Sequence, residues 1–240
     1  MEQFVSFSFP ELNYKCSLNP KGRKRYGNLE QLLDSRPGVP STVGLPDGSN
    51  KELKDIRLSY KYSSTIEFNL DPILVTTQLQ KLVNNDSLTR WDNKQKYDVI
   101  EYLPGGFFKE HFDKKIKKTH YGTLLIFPPA IGRLAHTGGE LIIDKGKFIF
   151  NSSTNTEWTF IAFHTYLPHE CKEVLSGTRI VFKTELLMGC PETSVLPDLN
   201  GYEDYPQICD GSLIEKDIIK KLFIEKELKE LIEKKPLHTD

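Results

Sequence analysis

Two histidines and an aspartate in the middle of the chain have the types and spacing of metal ligands. His111 and Asp113 form an H-x-D pair, and His169 follows far downstream. Residues two apart in a β-strand project to the same side, so His111 and Asp113 can bind one ion while Phe112 points away. Two imidazoles and one carboxylate can hold a mononuclear Fe(II) ion with three positions left open. Zinc hydrolases also use two histidines and a carboxylate, so these residues alone do not choose the metal.

An arginine ten positions after His169 favours an iron site over a zinc site. Arg179 lies in the segment S-G-T-R-I-V-F, and strand alternation places Arg179, Val181 and Lys183 on one face. We expect Arg179 to point inward, where a guanidinium needs an anion, and no acidic residue nearby in sequence is an obvious partner. The planar guanidinium suits a carboxylate, such as the far end of 2-oxoglutarate.

Each of these signals has an ordinary structural interpretation when it stands alone. An H-x-D pair arises easily by chance in a chain with six histidines. A single histidine such as His169 is more often a core residue, and a single arginine such as Arg179 more often lies on the surface. The prediction therefore depends on the combination of H-x-D, G-G-E-L and H-E-x3-V-x2-G-x-R in that order. The histidines expected to be structural or substrate-facing, and not fourth ligands, are His120, His136 and His164.

The sequence from about residue 95 to 188 resembles the 2-oxoglutarate and Fe(II)-dependent dioxygenases, particularly the prolyl 4-hydroxylase-like branch. The resemblance lies in YLPGGFFKEHFD, TLLIF, GGEL at 138–141 and HECKEVLSGTRIVF. It implies that the H-x-D pair and His169 are the iron ligands. It also implies that Arg179 takes the place of the basic residue that binds the tail carboxylate of 2-oxoglutarate.

The same resemblance implies two further contacts to the cosubstrate. Tyr102 matches an aromatic residue that lines the cosubstrate pocket in similar enzymes, and Thr123 falls on the strand that completes the pocket. Some relatives have a tyrosine where this chain has Phe127, and the tyrosine hydroxyl touches the cosubstrate tail. Since Phe127 lacks that hydroxyl, Thr123 or another group would have to supply the contact. No catalytic residue is predicted beyond the metal ligands, and substrate-binding residues are not assigned.

The activity implied by the resemblance is oxidative decarboxylation of 2-oxoglutarate coupled to hydroxylation of an unactivated C–H bond. It requires Fe(II), 2-oxoglutarate as cosubstrate and O2, with ascorbate as a further candidate cofactor. A prolyl residue of a protein is the first-choice substrate, so a protein or peptide partner is expected. Two alternatives stay open: a nucleic-acid dealkylating dioxygenase, and a non-catalytic jelly-roll binding module that has kept the pocket.

Composition limits the partners and the compartment. The chain has 240 residues, 38% of them hydrophobic, and a formal net charge of −1. A packed core is therefore expected, and there is no general electrostatic case for binding nucleic acid or anionic membranes. No apolar run of about 18 residues, no secretory signal and no closely spaced cysteine pair is found, which favours a cytoplasmic or nuclear location with free thiols. The basic residues that keep nucleic acid open as a partner are Lys114, Lys115, Lys117 and Lys118.

Strands are expected to dominate from residue 97 to 188. The runs YDVIEY, FFKEHF, TLLIF, ELII, KFIF, TFIAF and RIVFKTEL are separated by turn residues with no helical pattern between them. Many short strands without helices indicate a sandwich or a barrel. The predicted fold class is mainly β with flanking helices, and the resemblance implies a double-stranded β-helix, or jelly roll. Such a fold can place ligands from distant strands at one open end.

Three parts are predicted along the chain. Residues 1–50 form an N-terminal extension that contains the basic cluster KGRKR and a turn-rich loop. Residues 51–190 form the jelly-roll dioxygenase core. Residues 191–240 form a C-terminal extension.

Two helices and one strand region are predicted outside the main β segment. Alternating apolar residues predict strands from 55 to 70, with a candidate break at Ser63 and Ser64. An aspartate followed by a proline then begins a helix at about 71–85. An S-x-x-E capping box at Ser212 begins an amphipathic helix at about 212–235. That helix could dock on its own domain, cover the site or pair with a second copy, and the oligomeric state is not assigned.

Overall fold

A computed structural model describes residues 2–18, 25–35, 37–45, 49–83, 91, 93–114 and 119–187 of the chain. All of these residues except Thr119 belong to one packing unit. The predicted C-terminal helix, most of the KGRKR cluster, and Lys115, Lys117 and Lys118 lie outside the described residues.

The described residues form eighteen strands and two α-helices. The strands are β1 Phe4–Phe9, β2 Tyr14–Ser17, β3 Tyr26–Gly27, β4 Val39–Pro40, β5 Val43–Gly44, β6 Asn50–Lys51, β7 Arg57–Leu58, β8 Tyr60–Phe68, β9 Lys94–Tyr102, β10 Phe107–His111, β11 His120–Phe127, β12 His136–Gly138, β13 Leu141–Ile143, β14 Phe148–Phe150, β15 Trp158–His164, β16 His169–Cys171, β17 Val174–Gly177 and β18 Arg179–Leu187. The helices are α1 Leu29–Ser35 and α2 Pro72–Gln80, with single 3-10 turns at Gly132–Leu134, Asp144–Gly146 and Ser152–Thr154.

Most strands belong to two antiparallel sheets. The larger sheet has the order β1-β15-β11-β18-β9-β8-β2-β3, and β4 also pairs with β8. The smaller sheet has the order β14-β13-β16-β10-β7. The two small pairs β12-β17 and β5-β6 complete the pairing of the described strands. The prediction of a mainly β, jelly-roll fold with flanking helices is confirmed, and the sheets do not close into a barrel.

Side-chain alternation gives the larger sheet two apolar faces. On β18, Ile180 and Phe182 project to one face and Val181 to the other. One face packs against α1 and α2 and forms the helix-side core, which includes Leu32, Val75, Val99, Leu124, Phe160, Ile180 and Phe182. The other face packs against the smaller sheet and forms the cleft-side core, which includes Ile100, Tyr102, Leu125, Phe127, Leu141, Ile143, Phe163 and Val181.

The described part of residues 1–50 pairs into the larger sheet. β1 lies along β15, and β2 pairs with β8. Val5 and Cys16 are buried in the helix-side core. These residues therefore help to build the sheet, while the domain boundary predicted near residue 51 stays a prediction.

β8 runs without the break predicted at Ser63. It is continuous from Tyr60 to Phe68 and pairs with β9 along most of its length. Ser64 is buried within it, and its hydroxyl donates a hydrogen bond to the carbonyl oxygen of Ser17 at 2.9 Å. A buried hydroxyl with a partner costs little, so the serine is tolerated inside the layer and the strand continues.

α2 begins where the sequence predicts and ends earlier. Asp71 caps it by accepting a hydrogen bond from the backbone N–H of Ile73, and Pro72 is its first residue. The helix ends at Gln80 instead of near 85, because the backbone N–H groups that follow bond three residues back and tighten the last turn. Within the described ranges, no helix has both the length and the apolar character needed to cross a membrane.

Candidate metal centre

His111 and His169 face each other on neighbouring strands of the smaller sheet. β10 pairs with β16, and the two histidines are direct partners in the register. Their ring centroids are 4.2 Å apart. Phe108 stacks on the His111 ring at 3.4 Å between centroids, and Phe163 lies 4.6 Å from the His169 ring. The sheet pairing and these aromatic contacts fix both imidazoles before any ion binds.

Asp113 joins the histidines from just beyond the end of β10. The sequence predicts it on the same strand as His111, whereas the strand ends at His111. Phe112 is 62% exposed, so it points away from the site as alternation predicts. An Asp113 carboxylate oxygen lies 3.7 Å from Nε2 of His169. One donor atom from each of the three residues lies within 4.8 Å of the others, the one such group found in the described part of the chain.

Main-chain carbonyls fix the tautomers of both histidines. Nδ1 of His111 lies 2.8 Å from the carbonyl oxygen of Lys109, and Nδ1 of His169 lies 3.1 Å from that of Leu167. A carbonyl oxygen only accepts, so each Nδ1 carries the proton. The unprotonated nitrogen of each ring is then Nε2, which is the atom left to bind a metal ion.

Two side chains hold the Asp113 carboxylate. The Thr123 hydroxyl donates to Oδ2, and the Lys183 ammonium donates to Oδ1 at 2.5 Å. Strand alternation brings them there, because Lys183 projects from β18 on the same face as Val181 and Thr123 projects from β11 beside Leu125. The larger sheet therefore orients the acidic ligand that follows a strand of the smaller one.

The protonation states suit metal binding. Burial, with a smaller contribution from His169, lowers the pKa of His111 to about 3. Burial also lowers the pKa of His169. Burial raises the pKa of Asp113, but the Lys183 ammonium and the nearby His169 outweigh it and hold that pKa well below its ordinary value. At neutral pH the site therefore presents two neutral imidazoles and a carboxylate.

Arg179 is buried, and no acidic partner for it is found among the residues that the structure describes. It is 1% exposed, and no carboxylate among the described residues forms an ion pair with it. Its guanidinium carbon lies 5.1 Å from the ring centroid of Tyr102 and 5.1 Å from that of Phe127. Aromatic faces stabilise a cation only partly, so an unpaired buried guanidinium points to an anion that binds there.

A glycine and a serine position the Arg179 side chain. Gly139 has φ of +75°, and a Cβ there would lie 2.6 Å from Cδ of Arg179. Nε of Arg179 donates to the Ser152 hydroxyl at 3.1 Å. That hydroxyl lies 3.0 Å from Nε2 of His136, whose Nδ1 donates to the Leu134 carbonyl oxygen at 2.9 Å. Because Ser152 accepts from Nε, the two terminal nitrogens of the guanidinium stay available for a ligand.

All six residues singled out from the sequence line one cleft. The three predicted metal ligands lie there with Arg179, Tyr102 and Thr123, on walls from both sheets. Thr123 donates to Asp113, so its predicted contact with a cosubstrate stays a prediction, as does that of Tyr102. Further residues that line the cleft and were not assigned to it from the sequence are Arg57, Phe108, Glu170, Cys171 and Lys183.

Two other histidines of the described part of the chain, His120 and His164, form hydrogen bonds within the fold. Nε2 of His120 bonds to the carbonyl oxygen of Gly122, and Nε2 of His164 bonds to that of Leu82. Neither belongs to the metal-ligand group in the described residues. Their predicted role, structural or substrate-facing, stays a prediction.

The donor set fits a first-row divalent ion such as Fe(II). It combines two imidazole nitrogens with one carboxylate oxygen, as in the facial sites of non-haem iron enzymes. The backbone contacts of the imidazoles and the Thr123 contact of the carboxylate supply the outer hydrogen bonds that such ligands need.

Comparisons with known proteins find similar structures but no sequence match. No family model matches the chain, and no curated protein matches it. Among solved structures, a prolyl-4-hydroxylase from Pseudomonas putida is 14% identical to this chain, with a TM-score of 0.43. The match covers 66% of this chain and 81% of the chain of that enzyme. A 2OG-Fe(II) oxygenase family protein from Burkholderia pseudomallei is 17% identical to this chain, with a TM-score of 0.43. The match covers 67% of this chain and 77% of the other.

A third similar structure is a prolyl hydroxylase from Trichoplax adhaerens in complex with a hypoxia inducible factor peptide fragment. It is 15% identical to this chain, with a TM-score of 0.39, and the match covers 63% of this chain and 71% of the chain of that hydroxylase. The similar structures are thus prolyl hydroxylases and 2OG-Fe(II) oxygenases. At these scores the likeness carries no residue roles or substrates over to this chain.

Proposed function

We propose that the protein is an Fe(II)- and 2-oxoglutarate-dependent dioxygenase that hydroxylates an unactivated C–H bond. One observation carries the proposal. A His-Asp-His group lines the same cleft as a buried arginine that forms no ion pair with any carboxylate in the described part of the chain. Either feature alone fits several kinds of site, but together they match a metal ion and a carboxylate ligand that binds beside it.

Each residue has a defined task in this proposal. His111 and His169 bind the ion through Nε2, and Asp113 supplies the one anionic ligand. Arg179 pairs with the tail carboxylate of 2-oxoglutarate, while Phe127, with Tyr102, shields that pair from water. When bound, Fe(II) would supply the redox chemistry that couples O2 and 2-oxoglutarate to hydroxylation.

A prolyl residue of a protein is proposed as the substrate, on the sequence resemblance alone. Ascorbate as a further cofactor is proposed on the same basis, whereas a cytoplasmic or nuclear location is proposed from the sequence features described above. Nucleic-acid dealkylation is less well supported, because the net charge of −1 offers no general attraction for a polyanion. Of the lysines that kept it open, Lys114 is the one within the described residues.

The first test uses the full-length protein without oxygen. Fe(II) plus 2-oxoglutarate should give a weak visible charge-transfer band, and O2 should then produce succinate. Absence of the band would favour a non-catalytic binding module. Mass spectrometry of peptide and oligonucleotide pools after turnover then separates the substrate classes, because hydroxylation adds the mass of oxygen and dealkylation removes a methyl group.

The ligand assignment has a direct test. Asp113→Ala should abolish succinate formation, because it removes the anionic ligand of the site. The matched control is Asp34→Ala, which removes an exposed carboxylate paired with Arg133 and should leave turnover unchanged. Full succinate production by Asp113→Ala would show that the assignment is wrong.

A further inference from the structure

Lys183 forms an ion pair with Asp113, the same carboxylate that would bind the metal ion. Its Nζ lies 2.5 Å from Oδ1 of Asp113, and its side chain is 24% exposed against 8% for the aspartate. Oδ2, the other carboxylate oxygen, accepts from Thr123 and faces His169. A divalent ion that binds Oδ2 must therefore approach an ammonium already paired with the same carboxylate.

A divalent ion and an ammonium on one buried carboxylate repel each other strongly, because solvent screens their charges poorly. Lys183 should therefore weaken metal binding while the cleft holds no other anion. An incoming carboxylate would remove this penalty by giving the ammonium a second partner. The geometry of β18 supplies a reason to expect such an anion.

β18 presents two cations on one face of the cleft. Arg179 and Lys183 are four residues apart on the strand, with Val181 between them, and all three line the cleft. Their Cα atoms are about 13 Å apart at roughly 3.3 Å per residue. Both side chains are long and both line the cleft, so their charged ends can lie closer together than the Cα atoms. Arg179 then suits one end of the dicarboxylate and Lys183 the end nearer Asp113.

We propose that Lys183 couples metal binding to cosubstrate binding by exchanging Asp113 for a carboxylate of the incoming dicarboxylate. This inference rests on the proposed function, because it takes 2-oxoglutarate as the dicarboxylate. Lys183 is a positioning residue in this scheme, since it acts through Asp113. The coupling is reciprocal: the metal ion strengthens 2-oxoglutarate binding by the same factor.

The test measures binding of Mn²⁺ to the full-length protein, with and without 2-oxoglutarate and without turnover. In Lys183→Met, Mn²⁺ alone should bind roughly 10-fold more tightly than in wild type, because the repelling charge is gone. The strengthening caused by 2-oxoglutarate should shrink by a similar factor. Lys183→Arg keeps the charge and should behave like wild type in both measurements.

The control is Lys15→Met, which removes another lysine of the larger sheet that is paired with a carboxylate, Glu67, where neither residue lines the cleft. It should leave Mn²⁺ binding unchanged. A purely structural role for Lys183 predicts the opposite sign, with weaker Mn²⁺ binding in Lys183→Met, and that result would overturn the inference. Unchanged coupling in Lys183→Met would overturn it as well. Failure of the wild-type protein to bind either Mn²⁺ or 2-oxoglutarate would instead refute the proposed function.

Discussion

The buried guanidinium of Arg179 should have the largest effect of any single residue on cosubstrate binding. Arg179→Ala should raise the apparent KM for 2-oxoglutarate by roughly 100-fold or more, since breaking a buried ion pair costs about 3–5 kcal/mol. Metal binding should change little, because Arg179 is not one of the three ligands. Steady-state kinetics and a Mn²⁺ titration measure the two effects separately.

Two further variants define what the Arg179 result means. Arg179→Lys should raise the KM for 2-oxoglutarate less than Arg179→Ala does, because lysine keeps the positive charge and loses only the bidentate contact. Arg133→Ala is the matched control, since Arg133 is exposed and paired with Asp34. An unchanged KM in Arg179→Ala would remove the main reason for choosing an oxygenase over a zinc hydrolase.

Falling pH should weaken 2-oxoglutarate binding through His136. Burial, which has the largest effect, and the nearby Arg179 lower the pKa of His136. Its hydrogen bond to Leu134 and the charge of Glu140 raise that pKa, but the net shift is downward. The neutral ring accepts from Ser152 at pH 7 and loses that ability when it is protonated, so the contact is present above the lowered pKa and is lost as pH falls through it.

The measurement is the Kd for 2-oxoglutarate in the presence of Mn²⁺ between pH 7.5 and about 5.5. The lower limit lies below the ordinary histidine pKa of about 6.5. Comparison with His136→Gln separates the contribution of His136 from that of every other group that titrates in this range. We expect a steeper rise of the Kd in wild type than in the variant. Identical slopes would show that His136 does not act on Arg179.

At the scale of elements, the turn between β12 and β13 sets the position of Arg179. Gly139 in that turn has a positive φ, and its missing side chain leaves room for Cδ of the arginine. Gly139→Ala should therefore destabilise the fold by about 1 kcal/mol or more and also raise the KM for 2-oxoglutarate. Thermal unfolding and kinetics measure the two effects.

Gly132→Ala is the control for backbone strain. Gly132 also has a positive φ, of +56°, but a Cβ there meets nothing within 4 Å. It should lose similar stability and keep the KM of the wild type. If both variants raise the KM equally, the turn acts through general destabilisation and not through the space it leaves for Arg179.

The same elements show how far the sequence alone leads. The alternation in RIVFKTEL predicts that Arg179, Val181 and Lys183 share a face, and all three line the cleft. Alternation could not predict the contact of Ser152 with Arg179, because Ser152 lies in an isolated 3-10 turn with no periodic pattern. The missing break at Ser63 has a similar cause, since pairing with a neighbouring strand outweighs the local preference of serine.

At the scale of the whole molecule, the two faces of the larger sheet should separate stability from binding. Phe182 is fully buried in the helix-side core and lies 5.9 Å, between ring centroids, from Trp158. Phe182→Leu should lower the free energy of unfolding by about 1–3 kcal/mol through lost packing. The Mn²⁺ affinity of the folded protein should stay unchanged, because the cleft lies on the opposite face.

Urea unfolding and Mn²⁺ titration of the same preparation test this separation. Val181→Ala is the comparison on the cleft face, where Val181 lies between Arg179 and Lys183. It should alter 2-oxoglutarate binding as well as stability. A loss of Mn²⁺ affinity in Phe182→Leu would show that the helix-side core also sets the geometry of the ligands.

The backbone contacts of the two histidines affect how the site tolerates mutation. The acceptors that fix His111 and His169 are carbonyl oxygens of Lys109 and Leu167, each two residues before its histidine. Every amino acid carries that oxygen, so substitution at either position leaves the acceptor in place. Sequence drift around the site can therefore alter its charge, while the ring nitrogen that is left for a metal ion stays the same in each histidine.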